Sequence, residues 1–116
     1  MKMTLPLPPN RANARWHWTT ERRLKVEYYE KAQYMLLPQR HKPKGWKKAN
    51  ISAVLYVWAM SDYDNLYARL KWPLDLLVNM GFIHDDSPSV LKWVTPLEQE
   101  VDRKNRRIEF MLTRGY

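Results

Sequence analysis

Five of the six aspartates in this sequence lie within a stretch of 25 residues: Asp62, Asp64, Asp75, Asp85 and Asp86. Carboxylate oxygens are the protein ligands that Mg²⁺ prefers. Asp62 and Asp64 are two positions apart at the predicted junction of a strand and a helix, where both side chains can point into one crevice. This position is suited to an active site. The alternative is that Asp64 caps the helix and Asp62 belongs to a turn.

These carboxylates occur in a basic chain of 116 residues with a net charge of +8. Residues 1–58 hold 12 Lys and Arg against 3 acidic residues, whereas residues 59–116 hold 8 against 9. A basic surface binds phosphate groups by releasing counterions, but carboxylates repel phosphate unless a divalent cation neutralises them. The combination favours metal-dependent phosphodiester chemistry. The alternative is a solvated basic face that only aids solubility.

The composition excludes several other classes of site. Without cysteine, the chain has no disulfide, thiolate zinc site, iron–sulfur cluster or cysteine nucleophile. The longest apolar run, residues 53–60, is far shorter than the ~20 residues that cross a bilayer, and residues 1–9 lack the apolar core of a signal peptide. We therefore expect a cytoplasmic protein with no membrane contact. A calcium loop starting at Asp62 is excluded by Tyr67 and Pro73 at the positions of its glycine and final acid.

Hydrophobic periodicity predicts six elements in the order β, α, β, α, β, β. Leu24, Tyr28 and Ala32 recur at helical spacing, with Thr19 or Thr20 as the N-cap. Prolines make the first strand either an edge strand or one that ends early. The second strand is apolar enough to be central and buried on both faces. We predict helices at residues 20–37 and 64–80, strands at residues 3–9, 51–60, 90–95 and 107–113, and a polar turn at residues 103–106.

These elements indicate the α/β (α+β) class, as one small domain over residues 1–116 with a mixed sheet flanked by two main helices. Gly81 is predicted to end the second helix. Lys71 lies seven positions after Asp64, so the two side chains are expected on one helix face, and Asp75 can pair with Lys71 four residues earlier.

Four short blocks follow one another along the chain: residues 5–10 (LPLPPN) with Asn13 and Arg15, residues 61–66 (SDYDNL), Lys71 with Asp75, and residues 81–87 (GFIHDDS). In this order the blocks resemble the RusA family of Holliday junction resolvases, which is common in bacteriophages and prophages. That family has an L-P-x-P-P start, a D-x-D-N-L motif, a Lys four residues before an Asp, and an apolar stretch that ends in D-D.

The resemblance implies a homodimeric, Mg²⁺-dependent endonuclease, in which Mn²⁺ can substitute, that binds four-way DNA junctions and nicks two strands of like polarity symmetrically. By position, Asp62, Asp64 and Asp86 match the family's essential metal-binding carboxylates. Lys71 matches its active-site lysine, which stabilises charge on the phosphate or the leaving oxygen. Asp85, Asp75 and Asn65 are implied as supporting residues around them.

Two features depart from the family pattern. The segment between Asn65 and Lys71 is three residues longer than usual, close to one helical turn, and Pro73 interrupts the predicted helix. Either Pro73 kinks the helix or its first turn is looped out. Ser61 also stands where the family often has a basic residue.

We expect the DNA backbone to contact polar and basic residues of two loops: Arg11, Asn13, Arg15, His17, Lys42, Lys44, Lys47 and Lys48. Trp16 or Trp46 are candidate groups for base stacking, with core packing as the alternative.

Three competing functions remain open on the sequence. The chain can be a nucleic-acid-binding module without catalysis, a metal nuclease that prefers forks or flaps, or a phage structural or interaction protein. Mg²⁺-dependent nicking would distinguish the junction resolvase and the fork or flap nuclease from the two proteins without catalysis. A preference for four-way junctions would then distinguish the resolvase from the other nuclease.

Overall fold

The computed structural model describes residues 1–10, 17–39 and 46–115. Within these ranges the structure has five strands and three α-helices, in the order β1 (Lys2–Pro6), α1 (Trp18–Leu36), β2 (Ala49–Val57), α2 (Tyr63–Ala68), α3 (Lys71–Asn79), β3 (Leu91–Trp93), β4 (Glu98–Val101) and β5 (Arg107–Arg114). A short 3-10 helix, Leu37–Gln39, extends the end of α1.

The five strands form one mixed sheet with β2 at its centre. On one side β5 pairs antiparallel with β2 and then with the edge strand β1. On the other side β3 and β4 both run parallel to β2, with Leu91 opposite Ala49 and Val101 opposite Val57. The predicted fold class is therefore confirmed, as is the edge position of the proline-rich first strand. β4 was not predicted, because its sequence EQEV has the polarity of a loop.

Among the described residues, the core lies on one face of the sheet. Along β2 the residues alternate between buried and half-buried, with Ile51, Leu55 and Val57 fully buried on the face that the helices cover. The prediction of a central strand buried on both faces is wrong, because every second residue of β2 is only half-buried. The other face carries charged and polar residues beside apolar ones such as Val54 and Met111. Glu109 on this face lies 3.5 Å from Lys2 Nζ and 3.2 Å from Arg107 Nε.

The helices begin and end at residues that differ from the predicted ones. Helix α1 starts at Trp18, and its N-cap is His17 instead of Thr19 or Thr20, because the His17 Nδ1 accepts a hydrogen bond from the Thr19 N–H at 3.3 Å. No helix among the described ranges is long and apolar enough to cross a membrane.

The predicted helix over residues 64–80 is two helices, α2 and α3, separated by a turn at Arg69 and Leu70. Pro73 explains the break, because it has no N–H to donate to the carbonyl oxygen of Arg69, four residues earlier. The predicted end of the second helix at Gly81 is confirmed. Gly81 has a φ of 80°, and Phe82 N–H donates to Leu77 O at 2.9 Å, as in a Schellman motif.

Candidate functional site

Asp62 and Asp64 lie at the N-terminus of α2, past the carboxyl end of β2. Asp62 is the N-cap, since its Oδ1 accepts a hydrogen bond from the Asn65 N–H at 2.9 Å. Asp64 is exposed in the first turn. The helix is therefore capped by Asp62, whereas the alternative to an active site named Asp64 as the cap. A carboxylate at either position is stabilised by the free N–H groups of the helix end.

The segment that leads into Asp62 is held by Gln99, a residue of β4. Gln99 Oε1 accepts from the Ser61 N–H at 3.0 Å, and Gln99 Nε2 donates to the Ser61 carbonyl oxygen at 2.7 Å. Gln99 itself pairs with Leu55 of β2. The amide therefore fixes the backbone next to Asp62 against the last residues of the central strand, and no feature of the sequence pointed to it.

Asp85 and Asp86 lie in an exposed turn after α3. The His84 N–H donates to the carbonyl oxygen of Trp46 at 3.1 Å, and Trp46 lies three residues before β2. Asp85 stabilises its own turn, because its Oδ1 accepts from the Asp86 N–H at 2.9 Å. That bond, with a further one from the Ser87 side chain, holds the pKa of Asp85 below its usual range.

The two aspartate pairs therefore lie at opposite ends of β2. Ser61 is fixed at the level of Leu55 through Gln99, and His84 is fixed beyond Ala49 through Trp46. Leu55 and Ala49 are six residues apart on one strand, about 20 Å at 3.3 Å per residue. Within residues 1–10, 17–39 and 46–115, no group of three or more His, Asp and Glu side chains is placed to hold a metal ion.

As placed, Asp62, Asp64 and Asp86 do not form one ligand set for Mg²⁺ or Mn²⁺. The shared metal site implied by the resemblance gains no support from this arrangement and stays a prediction.

Lys71 and Asp75 both belong to α3, four residues apart. The prediction that Asp64 and Lys71 share one helix face is wrong, because α2 ends at Ala68 and Lys71 begins a separate helix. The salt bridges found in the described part of the chain do not include a Lys71–Asp75 pair. Lys71 is exposed. Asn65 donates its backbone N–H to the side chain of Asp62.

Most of the predicted DNA contacts lie outside the described residues: Arg11, Asn13, Arg15, Lys42 and Lys44, together with Trp16. Lys47 and Lys48 are exposed just before β2. His17 is exposed as well, but one ring nitrogen is engaged in capping α1. Trp46 is half-buried and packs against the core, which matches the core-packing alternative and not a stacking platform.

A cationic and aromatic patch that the sequence did not reveal lies at the carboxyl end of β2. The patch consists of Trp58, Arg103 and Arg106. Trp58 is 55% exposed, and the guanidinium carbons of Arg103 and Arg106 lie 5.1 and 5.6 Å from the centre of its ring. The Arg103 Nε also donates to the Trp58 carbonyl oxygen at 3.2 Å. Exposed rings flanked by guanidinium groups are typical of surfaces that bind single-stranded nucleic acid.

The sequence signal for this patch is the basic run RKNRR at residues 103–107. Residues 103–106, predicted as a polar turn, belong to the connection between β4 and β5. The partner of this run, Trp58, is 45 residues earlier in the chain, so only the sheet register brings them together.

No protein-family model matches this chain, and no curated protein is significantly similar to it.

Proposed function

We propose that the chain is a structure-selective, Mg²⁺-dependent endodeoxyribonuclease that acts on four-way DNA junctions as a homodimer. Paired nicks in two strands of like polarity require two active sites, which a homodimer provides. The four ordered sequence blocks and the residues at one end of the sheet support this function.

The observation that carries the proposal is that carboxylates and the Trp58 patch lie at the same end of β2. Asp62 and Asp64 begin α2 just after β2, and Trp58, which holds Arg103 and Arg106 around its ring, follows the same strand end. A nucleic-acid backbone that contacts the guanidinium groups is thereby brought close to exposed carboxylates. Holding DNA beside carboxylates serves a nuclease and is unfavourable for a protein that only binds DNA, because carboxylates repel phosphate.

The test uses synthetic four-way junction, replication-fork and duplex DNA, each incubated with Mg²⁺ or with EDTA. We expect nicking of the junction in Mg²⁺ alone. Asp64→Asn should abolish nicking and leave junction binding intact or tighter, because it removes a negative charge near the DNA. Glu98→Gln, which removes one charge from an exposed position on β4, is the matched control and should cleave like the wild type. Full activity of Asp64→Asn contradicts the proposal.

A second function, DNA binding without cleavage, is favoured by the distance between the two aspartate pairs. This function predicts salt-dependent junction binding with no nicking in Mg²⁺ or Mn²⁺. Cleavage of fork DNA in preference to the junction would instead support a nuclease of different specificity.

A further inference from the structure

A cleft of about 420 Å³ opens between α1, the proline-rich residues 6–9 and the connection that precedes β5. Its apolar lining includes Leu7 and Leu24. The hydroxyl of Tyr28, which also lines the cleft, donates to the Pro6 carbonyl oxygen at 2.9 Å. The charged side chains that line it are Lys31, Arg69, Arg106 and Glu27. The cleft adjoins the Trp58 patch, because Arg106 belongs to both.

The charges in this cleft are unbalanced. Three cations face one acid, and Glu27 already lies 3.9 Å from Arg23 Nε on the same helix. None of the salt bridges within the described ranges involves Lys31, Arg69 or Arg106. Such an excess of positive charge in a concave surface attracts anions.

Arg69 is the most informative residue of the cleft. Its Nε is buried and has no hydrogen-bond partner among the residues that the structure describes. Burial, and then the positive charge of Arg106, hold the pKa of Arg69 below its usual range. A buried donor without an acceptor costs free energy, and so do two repelling guanidinium groups. An anion between the two guanidinium groups would remove their repulsion.

We propose that this cleft binds a phosphate group, with Arg69 and Arg106 as its direct ligands and Lys31 as a further cation at the rim. The planar guanidinium group donates two parallel hydrogen bonds to phosphate oxygens, and two such groups surround one phosphate. The phosphate belongs either to a nucleic-acid backbone or to a free phosphate or phosphomonoester. The site does not depend on cleavage or on a metal ion, so it stands or falls separately from the proposed nuclease activity.

The first experiment measures the Tm of the full chain in EDTA as inorganic phosphate replaces chloride at constant ionic strength. An anion bound by the folded state raises the Tm by mass action. We expect a rise of several degrees for the wild type, and no rise for Arg69→Gln or Arg106→Gln. Lys104→Gln is the matched control, because Lys104 is an exposed cation two residues from Arg106 that does not line the cleft. It should respond like the wild type.

Arg106→Gln carries the test even if Arg69→Gln does not fold, because Arg106 is exposed. In phosphate-free buffer Arg106→Gln should not lower the Tm, since it removes a repelling charge from Arg69. Phosphate binding followed by ³¹P NMR provides a second measurement. A full phosphate-induced rise of Tm in Arg106→Gln, or no phosphate-specific rise in the wild type, would overturn the proposal.

The second experiment distinguishes the two sources of phosphate with a short thymidine oligonucleotide, again in EDTA. If the site takes a backbone phosphate, Arg106→Gln weakens oligonucleotide binding and lowers the slope of log affinity against log salt by about 0.7. Inorganic phosphate should then compete with the oligonucleotide. Unchanged oligonucleotide binding together with a lost response to inorganic phosphate assigns the site to a free phosphate or phosphomonoester.

Discussion

The side-chain amide of Gln99 bonds to both backbone groups of Ser61, at 3.0 Å to its N–H and 2.7 Å to its carbonyl oxygen. The contact joins β4 to the segment before α2, and it determines where Asp62 and Asp64 lie relative to the sheet. Gln99 is therefore a positioning residue for the candidate carboxylates.

Replacing Gln99 with Ala should lower the free energy of unfolding by about 2 kcal/mol, because two hydrogen bonds worth about 1 kcal/mol each are lost. Urea denaturation measures the loss. Glu98→Ala, an exposed change on the same strand, is the control. If nicking occurs, Gln99→Ala should reduce the nicking rate without weakening junction binding, because the Trp58 patch is intact. Stability equal to that of the control would show that the amide does not anchor Ser61.

Asp62 has a capping role that can be separated from any role in catalysis. Asp62→Ala should destabilise the fold by about 1 kcal/mol, because the Asn65 N–H loses its acceptor. Asp62→Ser should retain most of the stability, since a serine hydroxyl also caps a helix, but it removes the carboxylate. If Asp62 is catalytic, both variants lose nicking, while only the alanine variant loses stability in urea. A serine variant as unstable as the alanine variant would contradict the capping assignment.

Trp58 should contribute to nucleic-acid binding and not to stability. Trp58→Leu is expected to weaken single-stranded DNA binding by about 1 to 3 kcal/mol, the range measured for one base stacked on an aromatic ring. Its stability should change by less than ~0.5 kcal/mol, because the ring is mainly exposed. Fluorescence anisotropy with a labelled oligonucleotide measures the affinity. Tyr34→Leu, at a ring on α1 that is 79% exposed, is the control, and an equal loss there would argue against a specific role for Trp58.

Because of Tyr28, the stability of the fold should depend on pH in the alkaline range. Burial, and then the neighbouring Tyr29, raise the pKa of Tyr28 well above its usual range. Above its ordinary pKa of about 10 the unfolded chain releases this proton while the folded chain keeps it, so stability falls as pH rises. The expected loss is about 1.4 kcal/mol per pH unit above pH ~10.

Tyr28→Phe should remove that pH-dependent loss, which urea denaturation across this pH range measures. At neutral pH the same variant should be less stable than the wild type by about 1 to 3 kcal/mol, because the buried carbonyl oxygen of Pro6 loses its donor. Equal slopes against pH in the two proteins would show that Tyr28 ionises in the folded state.

Local signals in the sequence determined several features correctly. The prolines placed β1 at an edge because they cannot donate to a second neighbouring strand. Gly81 marked the end of a helix because its φ of 80° is a conformation that other residues rarely adopt. The order of apolar segments predicted a mixed sheet with two main helices, because each segment's periodicity depends only on neighbours a few residues away.

Only the tertiary structure decided how the chemistry-bearing residues are arranged. The two aspartate pairs are close in sequence, yet α3 and the hydrogen bond from His84 to Trp46 carry the second pair to the opposite end of β2. Conversely, Trp58 and Arg103 are 45 residues apart in sequence and in contact. Arg69, between α2 and α3, lies close enough to Arg106, just before β5, for their charges to repel. The registers of β2 with β3, β4 and β5 set these distances, and register depends on which apolar faces pack together over the whole chain.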